Sequence, residues 1–132
     1  VRALSPGVND PFTALAVLDR LGAALCALAG RRLPDPVLRH DGRTVLVRRV
    51  PDYDGLCDAM FHMIRQNSGG SAAVLIRLVE TVRRVQEVEP DLHRHTALYR
   101  HAEMALATGR RDLKDQAGLS DLEQRAMAPI RA

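Results

Sequence analysis

The sequence predicts a mainly α-helical fold: a compact bundle of about five helices with one β-hairpin between helices 1 and 2. Aromatic residues make up only 3% of the chain and Trp is absent, so the core must be aliphatic, which suits helix packing. Aliphatic residues recur at helical spacing in several segments, whereas Asp41-Gly42 separates two β-prone runs. The length of 132 residues suits one domain, so we expect residues 1–132 to form a single soluble domain.

Helix 1 is predicted from Pro11 to Ala29. Asp10 can cap it, proline suits its first position, and Gly30 closes it. Its expected core stripe contains Ala14, Leu18, Leu21, Leu25 and Leu28, flanked by Leu15 and Val17. The opposite face carries almost no charge and contains Ala16, Arg20, Ala23 and Ala27. A helix that is apolar nearly all round is buried on more than one side, so helix 1 is either the central helix or packs against a missing neighbour.

The hairpin is predicted from residues 37–39 and 44–50, which flank His40-Asp41-Gly42-Arg43. Pro34, Pro36 and Pro51 set this unit off from the helices. A lone hairpin is marginally stable in water, so we expect it to lie on the helices or to pair with another strand.

The remaining helices are predicted from caps and breaks. Helix 2 begins at a cap formed by Asp52 or Asp54 and ends near Asn67, and helix 3 begins at Ser71. Helix 4 runs from a cap at Asp91 through Thr108, with Gly109 ending it. A capping box at residues 120–123 begins a short helix 5. The expected core positions are Leu56, Cys57, Met60, Phe61 and Ile64 of helix 2 and Leu75, Leu78, Val82 and Val85 of helix 3.

Composition argues against several classes of protein. The net charge is +3, but the basic residues are spread along the chain among 16 acids, so we expect no nucleic-acid partner. Asp19 and Arg20 interrupt the longest apolar region, so no membrane-spanning segment is expected. Cys26 and Cys57 lie in apolar helical patterns, which favours buried thiols in a reducing, cytoplasmic location.

The turn from Ser5 to Thr13 is the first candidate site. Exposed N–H groups at a helix start attract anions, and Arg2, Ser5 and Asn9 can add donors. Asp10 would already cap this turn and would repel a phosphate, so the favoured interpretation is a rigid entry turn that docks helix 1.

A second candidate site is polar and lies farther along the chain. Asp19 and Arg20 are expected to form ion pairs with partners such as Arg65; the alternative is that Asp19 and Arg65 line a polar pocket. An enzyme would need such a pocket to gather these residues with His62 or His101. The histidines at 93, 95 and 101 lack the helical spacing of metal ligands, and no nucleophile motif is present. We therefore expect no metal and no cofactor, and catalysis is disfavoured.

One stretch carries a family resemblance. The segment from Arg2 to Ala14, continued by Leu18-Asp19-Arg20-Leu21, Ile64-Arg65-Gln66 and His101-Ala102, resembles a family of bacterial membrane proteins named domain of unknown function 2254. The resemblance implies an amino-terminal set of transmembrane helices followed by a soluble part, whose final portion would be this chain. It implies no activity, cofactor or catalytic residue.

Function is accordingly expected to be non-catalytic: a soluble interaction or regulatory domain of a membrane-anchored protein. The expected partners are the remainder of its own chain and further copies, through helix 1 or the open edges of the hairpin. Ligand or anion binding at the turn from Ser5 to Thr13, possible catalysis, and arginine-mediated nucleic-acid binding are the alternatives.

Overall fold

The computed structural model describes residues 2–5, 7–68 and 70–129. Five α-helices and a two-stranded antiparallel sheet follow a short 3-10 helix at Arg2–Leu4, which confirms the predicted fold class. In chain order the elements are α1 (Pro11–Leu28), β1 (Val37–His40), β2 (Arg43–Val47), α2 (Tyr53–Gln66), α3 (Ala72–Val88), α4 (Leu92–Asp112) and α5 (Gln116–Met127).

The centre of the bundle is α3. It packs against α1, α2, α4 and α5, and six of its aliphatic side chains are wholly buried: Val74, Leu75, Leu78, Val79, Val82 and Val85. The predicted core positions of this helix are confirmed, since Leu75, Leu78, Val82 and Val85 have no exposed surface. The alternative that helix 1 is the central helix is wrong.

Instead, α1 lies at the edge of the bundle. Asp10 caps it by accepting the Thr13 N–H, and it ends before Gly30, which has a positive φ of 68°, as predicted. One stripe is buried, with Gly22 meeting Thr81 of α3, whereas Leu21 and Leu28 are only half-buried. The buried stripe consists of Ala14, Leu18, Gly22 and Leu25.

The hairpin forms at the predicted turn and stands exposed. Asp41 and Gly42 both have positive φ, 49° and 73°, the conformation that tight hairpin turns require. A β-bulge interrupts the pairing between Leu38 and Arg39, and β2 ends at Val47, three residues short of the prediction. Every strand residue except Val37 is exposed. Among the described residues no helix or third strand covers it, contrary to expectation.

Two predicted helix boundaries are wrong. Helix α4 continues through Gly109 to Asp112, because Gly109 is a packing position: a Cβ there would lie 2.3 Å from Cδ2 of Leu122 on α5. Helix α5 begins at Gln116 with Asp115 as its cap, so residues 120–123 lie inside it. In that interior position Glu123 accepts a hydrogen bond from Nε of Arg110 at 2.8 Å, rather than forming a capping box.

A buried carboxylate fixes the turn between α3 and α4. Oε1 of Glu89 accepts the backbone N–H groups of Gly30 (3.3 Å) and Asp91 (3.1 Å), and Oε2 accepts Nη1 of Arg94 at 3.2 Å. Arg94 also donates to the carbonyl of Arg31 at 2.7 Å and lies over the Tyr53 ring. Glu89 therefore joins the end of α1 to the α3–α4 turn.

Candidate functional site

A cluster of polar side chains lies between α2 and α4. Its α2 members, Asp58, His62 and Arg65, are spaced by four and three residues and so share one helix face. Its α4 members are Arg100 and His101, brought opposite because the two helices pack against each other. We call these five residues the α2–α4 polar cluster.

One carboxylate oxygen is the centre of this cluster. Oδ1 of Asp58 lies 2.7 Å from Nη2 of Arg100, 3.0 Å from Nε2 of His101 and 3.2 Å from Nε2 of His62. At the other end, Arg65 donates from Nη1 to Oγ1 of the buried Thr108 at 3.0 Å. Nη2 of Arg65 lies 3.5 Å from Nδ1 of His62, so the network is continuous across the helix interface.

The environment of His101 keeps its ring neutral at neutral pH. Its side chain is only 1% exposed, and burial, helped by the positive charge of Arg100, lowers its pKa to about 4. Burial acts to raise the pKa of Asp58, but Arg100, His62 and His101 outweigh it and lower that pKa below the usual value. Asp58 is therefore an ionised acceptor, and a neutral His101 donates its Nε2–H to it.

Comparisons with known proteins identify the family. The family model for DUF2254, described as a predicted membrane protein, matches residues 1–84. The chain belongs to the DUF2254 family. Uncharacterized proteins of Mycobacterium bovis and Mycobacterium tuberculosis are 29% identical to it over 117 residues, which are 88% of this chain and 22% of each relative. The DUF2254 chain thus spans about a fifth of the length of these curated relatives. No solved structure matches it.

The side chains around Asp58 Oδ1 are placed like metal ligands, but the outer nitrogens of the two histidines lack the acceptors that a metal site needs. The separations of 3.0 and 3.2 Å between His Nε2 atoms and Asp58 Oδ1 suit ligands of one zinc ion. A histidine bound through Nε2 must carry a proton on Nδ1 and donate it to an acceptor. Here Nδ1 of His62 faces the guanidinium of Arg65, itself a donor, and the buried Nδ1 of His101 has no partner among the described residues. The DUF2254 cluster fits a hydrogen-bond hub better than a metal centre.

The same geometry disfavours nucleophilic chemistry. Cys57 adjoins Asp58 in sequence, but burial raises the pKa of its thiol to about 12, so it is protonated at neutral pH. Oγ1 of Thr108 accepts from Arg65 and is buried. A ring as deeply buried as His101, with a pKa far below 7, is poorly suited to general-base catalysis.

The predicted anion site uses its polar groups internally. Asp10 accepts both the N–H and the hydroxyl of Thr13, Oγ of Ser5 donates to the carbonyl of Arg2 at 2.8 Å, and Asn9 has a positive φ of 42°. Arg2 and Thr13 border a groove of about 200 Å³ whose other lining is apolar: Ala3, Leu4, Ala14, Val17 and Ile64. This geometry favours the rigid entry turn over an anion site.

The polar residues of helix 1 are placed differently from the prediction. Asp19 accepts from Nη1 of Arg77 on α3, at 2.6 and 2.8 Å, so Arg77 rather than Arg65 is its partner. Arg20 is exposed. Of the residues predicted for the polar pocket, Arg65, His62 and His101 meet in the α2–α4 polar cluster, whereas Asp19 lies elsewhere. Asp58 and Arg100 were missed, although the four-residue spacing of Asp58 and His62 is a readable signal of a shared helix face.

Proposed function

We propose that this DUF2254 chain is a non-catalytic assembly module of a longer membrane protein, and that another part of the same polypeptide covers the outer face of α1. The observation that carries the proposal is the exposure of that face. We define the α1 outer face by Phe12, Ala16, Ala23, Ala24 and Ala27, all of which are exposed. Phe12 alone has 80% of its surface exposed.

Such a face is unusual for a helix in water. Asp19 and Arg20 are the only charged residues of α1; Asp19 is paired with Arg77 toward the bundle, and Arg20 is the single exposed charge among the alanines of the outer face. A solvated helix face normally carries several charged or polar side chains, whereas contiguous apolar surface indicates a contact. The buried stripe of α1 already packs against α3, so the outer face of α1 makes no contribution to the core of the bundle.

The relatives supply a reason to favour the same polypeptide as the partner. Because the chain matches only 22% of each relative, most of such a protein lies outside the aligned segment. The family is described as a predicted membrane protein. Among the described helices, α1 is long and apolar enough to cross a membrane by length and composition, a test that core helices and signal sequences also pass. Its contacts with α3 hold one stripe in the bundle and leave the outer face for docking.

Photo-crosslinking in the full-length protein tests this proposal. A benzophenone maleimide would be attached to Ala23→Cys on the outer face, or to the control Gln124→Cys exposed on α5, both in a Cys26→Ser background. Cys57 is wholly buried and can remain. After irradiation in membranes, we expect position 23 to cross-link to a peptide outside the aligned segment of its own chain, and position 124 to give little of that product.

Other products would contradict the proposal. A cross-linked dimer from position 23 would assign the face to a second copy, and adducts with lipid would assign it to the bilayer. Equal, weak cross-linking at both positions would mean that water covers α1. Each of these results removes the intramolecular assembly that we propose.

A further inference from the structure

The positive charge of the chain is concentrated in the hairpin and the loop before it. Residues 31–49 contain six Arg and two Asp, a net charge of +4, whereas the other 113 residues contain 13 basic and 14 acidic side chains, a net charge of −1. The basic residues are therefore not evenly spread along the chain, contrary to the prediction. We call residues 31–49 the basic hairpin segment.

The arginines of this segment are exposed, and no carboxylate among the described residues pairs with them. In the described part of the chain none of the six forms a salt bridge, and all six are exposed. Of the eleven other arginines that the structure describes, six pair with carboxylates: Arg77, Arg94, Arg100, Arg110, Arg111 and Arg125. The charge of the basic hairpin segment is thus free to attract an anionic partner.

Aliphatic side chains accompany these arginines on both faces of the ribbon. Val37 pairs with Val47 and Leu38 pairs with Leu46, and successive pairs project to opposite faces. Val45, Leu46 and Val47 have 51–69% of their surface exposed. Exposed aliphatic side chains do not stabilise an isolated two-stranded ribbon, so these side chains are available for burial in a partner.

We infer that the basic hairpin segment docks on the surface of a bilayer that contains anionic phospholipids. Guanidinium groups would lie at the lipid phosphates, and the aliphatic pairs would enter the boundary between headgroups and acyl chains. The description of the family as a predicted membrane protein places a bilayer near the rest of the polypeptide. The inference does not depend on what covers α1, because the hairpin and the α1 outer face are separate surfaces.

Nucleic acid is the other polyanion to consider, and the segment suits it less well. Single strands are bound largely by stacking, yet residues 31–49 contain no Phe, Tyr or Trp. The exposed Leu and Val side chains would gain little against a phosphate backbone, whereas they gain directly from lipid. A bilayer satisfies both the charges and the aliphatic side chains.

Vesicle co-sedimentation of the 132-residue chain tests the inference. The probes are vesicles of phosphatidylcholine with phosphatidylglycerol, vesicles of phosphatidylcholine alone, and a DNA duplex at the same phosphate concentration. We expect binding to anionic vesicles that weakens with added salt, and much weaker binding to the other two. The variant Arg48→Gln/Arg49→Gln should bind anionic vesicles more weakly by about fivefold per arginine.

Two further variants separate this surface from general charge. Arg110→Gln/Arg111→Gln removes two positive charges from the far end of α4 and should leave vesicle binding within about twofold of the parent. Val45→Thr/Val47→Thr keeps the charge and the strand propensity, yet should weaken binding severalfold. Circular dichroism confirms that each variant is folded. Equal losses in both arginine pairs, stronger binding to DNA than to vesicles, or no vesicle binding at low salt would each overturn the inference.

Discussion

At the scale of single residues, the burial of His101 in the α2–α4 polar cluster makes the stability of the chain depend on pH. A neutral imidazole is kept inside the fold, where Arg100 and a low-dielectric setting both oppose its protonation. The folded-state pKa of about 4 lies below the ordinary value of 6.5. As the pH falls through 6.5, the unfolded chain takes up a proton that the folded chain refuses, so stability is complete above 6.5 and is lost progressively toward pH 4.

We therefore expect acid to destabilise the chain through this ring. Between pH 7.5 and pH 5 the His101 contribution to the free energy of unfolding should fall by about 2 kcal/mol, from the shift in pKa. Urea unfolding at the two pH values measures it. His101→Gln, which can still donate to Asp58, should lose most of that pH dependence, whereas His93→Gln on the exposed side of α4 should keep it. An unchanged pH dependence in His101→Gln would mean that another group is responsible.

Glu89 is the residue whose neutralisation should cost most. Its side chain is wholly buried, and it is the closer of two carboxylate partners of Arg94, which is only 13% exposed. Glu89→Gln replaces an acceptor oxygen with an amide donor and leaves the guanidinium of Arg94 with only the longer ion pair to the half-exposed Asp91, so the free energy of unfolding should fall by about 3 kcal/mol. Glu87→Gln, at an exposed position in the last turn of α3, should change it by less than about 0.5 kcal/mol. Similar small effects of both substitutions in urea unfolding would show that the pair is not buried as described.

At the scale of elements, α1 and α3 approach each other closely at Gly22. A Cβ at Gly22 would lie 2.6 Å from Cγ2 of Thr81, a buried β-branched side chain with little freedom to turn. Gly22→Ala should therefore lower the free energy of unfolding by about 1–2 kcal/mol, although alanine favours helix by about 1 kcal/mol.

A partner substitution isolates this contact. Thr81→Ser removes the methyl group, so adding Gly22→Ala in that background should be neutral or stabilising in urea unfolding. Ala23→Gly, on the α1 outer face of the same turn, should lose about 1 kcal/mol through helix propensity alone. A stabilising effect of Gly22→Ala in the parent chain would contradict the proposed close approach.

Elements with local start and stop signals could be predicted, whereas positions fixed by distant contacts could not. Asp10-Pro11, Asp91 and Asp41-Gly42 specify their own backbone conformation, and their elements form as expected. Gly109 is typical of a helix end in the sequence, but in the structure it lies inside α4 and packs against Leu122 of α5. The hydropathy of the alanines on α1 predicts burial, yet these alanines are exposed in the structure, because a side chain this small can occupy either setting.

The candidate site likewise has one part that could be predicted from the sequence and one part that could not. The pairing of Asp58 with His62 follows from one turn of α2, so it could be read from spacing. His101 joins them from a position 43 residues after Asp58, through the packing of α4 on α2. That packing follows from the whole core rather than from any motif, which is also why Arg77 rather than Arg65 accompanies Asp19.

At the scale of the whole molecule, the helical bundle and the hairpin are separable parts. Among the residues that the structure describes, the buried core consists of helix residues and their caps, whereas every hairpin residue but Val37 is exposed. The carbonyl of Pro36 accepts the N–H of Arg48 at 2.9 Å, so the two ends of the ribbon are already adjacent. The bundle can therefore be joined across this point without the strands.

Replacing residues 37–47 with Gly-Asn-Gly tests this separation. The free energy of unfolding should change by less than about 1 kcal/mol, because little buried surface is lost and the closing loop becomes shorter. The control is Leu33→Ala, a half-buried side chain that packs on the core just before the hairpin and should cost about 1–2 kcal/mol. Thermal and urea unfolding compare the two variants. If removing the ribbon cost more than truncating Leu33, the hairpin would have to be part of the folding unit, and its exposed aliphatic pairs could no longer be assigned to an external partner.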